Sequence, residues 1–242
     1  MKKKTNIKAL QDTAILLLHL DPVPDEVLSL FLIHPFITQR TMYIDKEFID
    51  VLESKENMNR VRERFAKMIL EADDIWKLYI MVHKPYRPLF FKLVYNELSV
   101  EDYNEMLAHV WVDVENPNQD ANVKISQWIR FFKKADKSLI MEPDDLKYYE
   151  SLPNDELITV YRGVGKGREP MGLSWTDDIE VAKWFANRWK NTEAYLLKGQ
   201  VYKEDIFAYF NTRNEHELLT NVKKVINIER IDLYGDNQEA KD

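Results

Sequence analysis

Hydrophobic positions in the first 150 residues recur at three- and four-residue spacing, which is typical of amphipathic helices. Between residues 45 and 82 these positions include Phe48, Val51, Leu52, Val61, Phe65, Met68 and Ile69. A similar apolar run, AILLLHL from residue 14, predicts the first amphipathic helix. This part of the chain is therefore expected to be mostly helical.

Polar residues mark where several of these helices begin. Ser99 is a candidate N-cap, because Asp102 follows three residues later in a capping-box pattern. Pro143 stands at a favourable first-turn position. Residues 176 to 189 also predict a helix, with Thr176 or Asp177 as its cap.

After residue 157 the pattern changes to short β-branched and aromatic runs, which predict strands. The strand segments are ELITVYRGV, LSW, EAYLLKGQV, DIFAYF, NEHELLT, KKVINI and RIDLYG. Strands that follow one another with a single intervening helix favour an α+β fold with antiparallel pairing. We therefore predict a helical N-terminal lobe, residues 1–150, packed on an antiparallel β core, residues 151–242.

Composition narrows the functional classes. The chain has 242 residues, a net charge of -7 and no cysteine. Neither half is basic, which argues against a nucleic-acid partner, and the missing cysteines exclude disulfides and thiolate sites. No apolar run approaches the roughly 20 residues of a membrane span. Polar residues separate the N-terminal lysines from the apolar run, so we expect no signal peptide and a cytoplasmic protein.

Three segments resemble known binding motifs but lack residues that those motifs require. The segment GVGKG lacks the third glycine of a dinucleotide loop, because Arg168 stands there. The segment HELLT has Thr220 where a zinc protease needs its second histidine. The segment DVENPNQDAN lacks the glycine and final glutamate of a calcium loop, so it is interpreted as a polar loop. No metal site is predicted.

The segment NEHELL places Glu215 and Glu217 two residues apart in a predicted strand. Alternating side chains would put both carboxylates on one face, roughly 7 Å apart. Arg162 ends an earlier strand, and its planar guanidinium suits a phosphate or carboxylate. Ser174 and Thr176 share a face of the short strand between them. Taken singly, these features also fit an exposed strand face, a surface ion pair and an N-cap.

Taken in order, the three segments VYRG, GLSWT and NEHELL resemble the mono-ADP-ribosyltransferases of the arginine–serine–glutamate type. The resemblance covers about residues 157 to 235 and implies an ADP-ribosyltransferase-like fold that binds NAD⁺ as its substrate. Trp175 departs from the family pattern, and we expect it to point away from Ser174 into the core. The segment NTR before the glutamates is also shorter than in many relatives.

The resemblance implies catalytic roles for four residues. Glu217 would stabilise the positive charge that develops on the ribose of NAD⁺, and Ser174 would orient Glu217 by a hydrogen bond. Glu215 would orient and deprotonate the acceptor, which in this family is usually an arginine of a protein. Arg162 would bind the NAD⁺ phosphates or ribose.

Two further residues complete the implied NAD⁺ site. Gly163 would allow the nicotinamide amide to approach the backbone, and Thr176 would support its strand. The expected function is an arginine-directed transferase, toxin-like or a phage or bacterial effector. An NAD⁺ glycohydrolase and a non-catalytic binding or inhibitory protein on the same fold remain alternatives.

Overall fold

The computed structural model describes residues 3–188 and 193–233. The chain divides into two compact units, Met1–Glu115 and Asn116–Asp242. The first unit consists mainly of helices with short β-hairpins, and the second combines helices with a larger β-sheet. The predicted α+β class is therefore confirmed.

The first unit is built from amphipathic helices around an apolar core. Its helices are α1 (Ile7–Leu18), α2 (Lys55–Glu71), α3 (Ile75–Met81), α4 (Arg87–Val94) and α5 (Val100–Asp113). Its hairpins pair β1 (Val23–Pro24) with β2 (Leu32–Ile33), and β3 (Thr41–Ile44) with β4 (Glu47–Asp50). Leu10, Val61, Leu78 and Phe91 are completely buried in this core. Two expectations are confirmed: the first apolar run is helical as far as Leu18, where α1 ends, and the hydroxyl of Ser99 caps α5 by accepting the N–H of Asp102 at 3.0 Å.

The prediction of a helix over residues 45–52 is wrong, because this stretch belongs to the β3–β4 hairpin. Asp45 and Lys46 form the turn with left-handed φ angles of 50° and 71°. Two successive left-handed residues are typical of a tight hairpin turn and incompatible with a right-handed helix. The hairpin register instead pairs Phe48 with Tyr43, and the centroids of their rings lie 5.0 Å apart.

The second unit places helices on an antiparallel sheet. Its helices are α6 (Ile125–Lys134), α7 (Lys137–Ile140), α8 (Pro143–Ser151) and α9 (Ile179–Asn187). Its strands are β5 (Ile158–Val164), β6 (Ser174–Thr176), β7 (Tyr195–Val201), β8 (Ile206–Phe210), β9 (Glu217–Thr220) and β10 (Ile226–Asp232). In the described part of the chain these six strands form one sheet in the order β10-β7-β5-β6-β9-β8, with every neighbouring pair antiparallel.

One strand prediction in this unit needs a correction, and one helix start is confirmed. The two strands expected from KKVINI and RIDLYG form the single strand β10, whose register shifts near Asn227, where φ is 52°. Residues 234 and 235 of the second segment lie outside the described residues. Pro143 is the first residue of α8, as its first-turn preference predicts.

The start of α9 also needs a correction. The helix is capped by Asp178, whose carboxylate accepts two first-turn N–H groups. The predicted cap, Thr176 or Asp177, is wrong, because Thr176 still belongs to β6 and Asp177 accepts a hydrogen bond from Tyr148. Residue 189, at the end of the predicted helix, lies outside the described residues.

The division between the two units falls earlier than the predicted boundary at residue 150. Helices α6 to α8 belong to the sheet unit because their side chains pack on β8. Phe132 of α6 stacks on Phe207 with ring centroids 6.1 Å apart, and the ammonium of Lys137 donates to the carbonyl of Ile206 at 2.9 Å. The helical segment from 125 to 151 therefore completes the core of the sheet unit.

Candidate functional site

The three strands that carry the predicted motifs are neighbours in the sheet. The strand β5 contains Arg162, β6 contains Ser174 and Thr176, and β9 begins at Glu217. In the sheet order β5 pairs with β6 and β6 pairs with β9, although β7 and β8 intervene in sequence. The fold thus brings together residues that are more than 50 positions apart in the chain.

Strand register places three of the predicted residues on one face. Thr176 pairs directly with Glu217, and Ser174 lies two residues away on the same face of β6. Trp175 alternates to the opposite face, where it is 2% exposed. The expectation that Trp175 packs into the core is confirmed, and its indole N–H donates to the carbonyl of Gly172.

The side chain of Arg162 lies on a different face of the sheet from these three residues. Its neighbour Tyr161 pairs with Thr176, so the side chain of Arg162 leaves β5 on the opposite face of the sheet. The guanidinium then donates to three backbone carbonyls: that of Ser174 at 2.7 Å, that of Glu169 at 2.8 Å and that of Pro170 at 3.0 Å. It therefore fixes the β5–β6 loop against the start of β6.

The charge of Arg162 is partly desolvated. Burial lowers the pKa of this guanidinium to about 10, while the carboxylates of Glu217 and Glu169 favour the charged form. The side chain is therefore a cation at neutral pH, and Glu217 is close enough to stabilise that cation. Among the described residues, the hydrogen bonds of the Arg162 guanidinium are accepted by these three backbone carbonyls and not by a carboxylate.

Asn118 belongs to the same cluster, and sequence reasoning missed it. Its side-chain oxygen accepts the N–H of Leu173 at 2.7 Å, and its side-chain nitrogen donates to the hydroxyl of Ser174 at 3.4 Å. Residues 117–119 form a single 3₁₀ turn. The sequence indicated only a polar loop here, because no local pattern indicates which distant segment a polar side chain will contact.

Glu215 does not share the strand with Glu217. The strand β9 begins at Glu217, and the residues before it form a turn in which Asn214 and His216 have φ angles of 56° and 45°. His216 is held in this conformation by Asn211, which accepts its N–H, and by the hydroxyl of Tyr209 at 3.0 Å from its Nδ1 atom. The prediction that Glu215 and Glu217 alternate along one strand is therefore wrong, and the implied role of Glu215 stays a prediction.

Gly163 has a packing role that the sequence did not predict. A Cβ atom at this position would overlap the carbonyl oxygen of Ala182 and lie 2.6 Å from the backbone nitrogen of Ala186. Both alanines belong to α9 and are buried. The absence of a side chain at Gly163 therefore allows α9 to approach β5 closely, and its implied contact with nicotinamide stays a prediction.

A shallow depression of about 610 Å³ lies in the first unit, near the N-terminal ends of α1 and α5. Its lining mixes both charge signs, including Lys3, Asp74 and Asp102, with the ring of Trp76. None of the predicted site residues lines this depression. The candidate site therefore consists of the polar cluster in the second unit.

Two structural features are absent from residues 3–188 and 193–233. These residues contain no group of histidine, aspartate and glutamate side chains that is suitable for a metal ion. They also include no helix with the length and apolar character needed to cross a bilayer. Comparison of the chain with protein-family models, with curated proteins and with solved structures finds no match.

Proposed function

We propose that this chain is a mono-ADP-ribosyltransferase that moves ADP-ribose from NAD⁺ to a protein acceptor and releases nicotinamide. The observation that supports the proposal is the adjacency of β5, β6 and β9, the three strands that carry the motif residues. Chain order alone does not require this adjacency, since β7 and β8 separate β6 from β9 in sequence. In the proposed enzyme, this part of the sheet holds the NAD⁺ site.

Glu217 is the proposed catalytic carboxylate. The reaction breaks the bond between the ribose C1 atom and the nicotinamide nitrogen, and nicotinamide leaves with the bonding electrons as a neutral molecule. Positive charge then develops on the ribose, and a nearby fixed carboxylate stabilises it. Ser174 shares the face of Glu217 on the neighbouring strand, so its hydroxyl can orient that carboxylate.

Arg162 is the proposed partner of the NAD⁺ pyrophosphate. A guanidinium has five N–H donors, and the three bonds to loop carbonyls leave two of them for a ligand. The carbonyls hold the group in one orientation before a ligand arrives, which lowers the entropy cost of binding. Its charge at neutral pH suits an anionic ligand.

The acceptor completes the reaction. A guanidinium nitrogen of an acceptor arginine forms the new bond to the ribose C1 atom, and one of its protons is released. The carboxylate of Glu215 is the proposed base for that proton. Glu215 lies in the turn before β9, so its position depends on the backbone conformation of Asn214 and His216.

The same turn favours a second candidate function, an NAD⁺ glycohydrolase, in which water replaces the protein acceptor. Glu215 is not aligned with Glu217 along a strand, and only the transferase requires Glu215 as the base for a protein acceptor. The two functions share the steps at Glu217 and Arg162. Release of nicotinamide without labelling of any protein would identify the glycohydrolase.

The test uses NAD⁺ labelled on its adenylate part, incubated with a cell lysate and the purified chain. We expect the wild-type chain to label protein, and Glu217→Gln to reduce labelling roughly 100-fold because it removes the stabilising charge. Glu229→Gln is the matched control, since Glu229 is exposed on β10. Equal labelling by wild type and Glu217→Gln would overturn the proposal. No NAD⁺ binding at millimolar concentration would instead favour a non-catalytic protein.

A further inference from the structure

The 3₁₀ turn at Pro117–Gln119 is hydrogen-bonded to the β5–β6 loop and to the first residue of β6. The carbonyl of Pro117 accepts the indole N–H of the buried Trp128 at 2.9 Å, which anchors the turn. The side chain of Gln119 donates to the carbonyl of Gly167 at 3.0 Å. Asn118, between them, contacts the opposite end of the same loop at Leu173 and Ser174.

The orientation of the Asn118 amide follows from its partners. The backbone N–H of Leu173 can only donate, so the atom that faces it must be the amide oxygen. The amide nitrogen is then turned toward the hydroxyl of Ser174 and donates to it. Because the Ser174 oxygen accepts this bond, its own proton is available for a different acceptor.

Glu217 is the proposed acceptor for that proton. Thr176 pairs with Glu217 across β6 and β9, which makes Ser174 the diagonal neighbour of Glu217 on the same face. Diagonal neighbours on adjacent antiparallel strands lie within reach of a long side chain. In the resulting series of hydrogen bonds, Asn118 would donate to Ser174 and Ser174 would donate to the catalytic carboxylate of Glu217.

Asn118 also lies against the cation of the site. A Cβ atom placed on Gly172 would lie 2.6 Å from a terminal nitrogen of Arg162 and 2.7 Å from the amide carbon of Asn118. The guanidinium of Arg162 and the amide of Asn118 thus both lie close to Gly172. Any charge introduced at position 118 would act directly on Arg162.

We propose that Asn118 is a positioning residue of the NAD⁺ site. This inference rests on the proposed function. The amide nitrogen of Asn118 sets the direction of the Ser174 hydroxyl, so that Ser174 donates to Glu217. The neutrality of the same amide leaves the positive charge of Arg162 available for the pyrophosphate of NAD⁺.

Asn118→Asp tests both parts, since it has nearly the same shape as asparagine and keeps the oxygen that accepts from Leu173. The new carboxylate accepts the hydroxyl proton of Ser174, so the hydrogen bond between residues 118 and 174 reverses its direction. The Ser174 proton is then no longer donated to Glu217. We expect kcat for nicotinamide release to fall roughly 10- to 100-fold, as for loss of a hydrogen bond to a charged group. The Kd for NAD⁺, measured by calorimetry, should rise because the carboxylate neutralises Arg162.

Asn154→Asp is the matched control. It makes the same change from asparagine to aspartate on an exposed residue of the loop before β5, away from Arg162 in the chain. We expect it to leave kcat and Kd within about twofold of the wild-type values, since Debye screening weakens the effect of an exposed charge. Circular dichroism of both variants checks that the fold is retained.

A double-mutant cycle separates positioning from a general structural effect. In a Ser174→Ala background, Asn118→Asp should no longer change kcat, because the hydroxyl it acts through is gone. Its effect on the Kd for NAD⁺ should persist, since that effect acts through Arg162. If Asn118→Asp fails to fold, the same cycle is run with Asn118→Ala and judged on kcat by the same criterion.

The outcomes distinguish the two proposals. If the wild-type chain neither binds nor cleaves NAD⁺, the proposed function and this inference fail together. If the wild type is active and Asn118→Asp behaves like Asn154→Asp, only the role of Asn118 is overturned. An undiminished effect of Asn118→Asp on kcat in the Ser174→Ala background would also overturn it.

Discussion

At the residue scale, His34 in the first unit illustrates how local bonds fix a charge state. The side chain is 1% exposed, and its Nδ1 atom accepts the N–H groups of Phe36 and Ile37 at 3.0 and 2.9 Å. The other ring nitrogen, Nε2, must then carry the proton that it donates to the carbonyl of Leu20. A second proton would have to bind to Nδ1, where two backbone N–H donors already point at this atom. The fold therefore requires a neutral imidazole.

Protonation of His34 should accordingly destabilise the first unit. Burial, with a smaller contribution from the charge of Arg62, lowers the pKa of His34 to about 4, whereas an unfolded histidine titrates near 6.5. Between these values the unfolded chain binds more protons than the folded chain, so stability falls as the pH drops. The loss should reach roughly 3 kcal/mol, all of it recovered above pH 6.5.

Nuclear magnetic resonance of the imidazole nitrogens measures this directly. We expect His34 to remain neutral at pH 5 with its proton on Nε2. The more exposed His19 provides a control within the same unit. Titration of His34 near pH 6.5 in the folded protein would contradict the prediction.

At the element scale, short-range hydrogen bonds determine where α9 begins. Asp178 accepts the N–H of Glu180 at 2.7 Å and that of Val181 at 3.4 Å. These two groups have no partner inside the helix, so the cap satisfies them. The helix in turn packs on β5 at Gly163, the residue beside Arg162. The cap therefore supports an element that lies directly against the candidate site.

Asp178→Ala should cost about 1 kcal/mol of helix stability, because the two first-turn N–H groups lose their acceptor. Hydrogen exchange of the α9 amides measures the local loss, and denaturant unfolding measures the global one. Asp178→Asn keeps the accepting oxygen and should retain most of the protection. Unchanged exchange in Asp178→Ala would show that the cap contributes nothing.

At the scale of the whole molecule, the sheet of the second unit depends on helices of the same unit that precede the sheet strands in the chain. Trp128, Phe131 and Phe132 of α6 are each at most 2% exposed, and Phe132 stacks on Phe207 of β8. In addition, Lys203, which lies between β7 and β8, donates from its ammonium to the carbonyl of Leu152 at 2.9 Å. A fragment without α6 to α8 would expose this apolar surface to water.

Two fragments test this division. Residues 116–242 should fold alone, with a cooperative unfolding transition and near-ultraviolet dichroism from their packed aromatic rings. Residues 151–242 should lack both, because the core against β8 is missing. Equal cooperativity of the two fragments would contradict the division between Glu115 and Asn116.

Sequence reasoning predicted the candidate site in part. It located Arg162, Ser174 and Thr176 on strands and the indole of Trp175 in the core, because strand alternation is a local property. It was wrong about the two glutamates, because the left-handed backbone of His216 interrupts the alternation. A histidine in that conformation gives no signal in the sequence. The same is true of the hairpin turn at Asp45 and Lys46.

The sequence by itself determined the α+β class, most helices and the strands that carry the motifs, since spacing and capping act over a few residues. Only the tertiary structure decided that β5, β6 and β9 lie side by side, that Asn118 joins Ser174, and that Glu215 falls in a turn. Strand neighbours are chosen by the pairing and burial of segments far apart in the chain. That choice minimises the free energy of the whole unit, which no short stretch of sequence encodes.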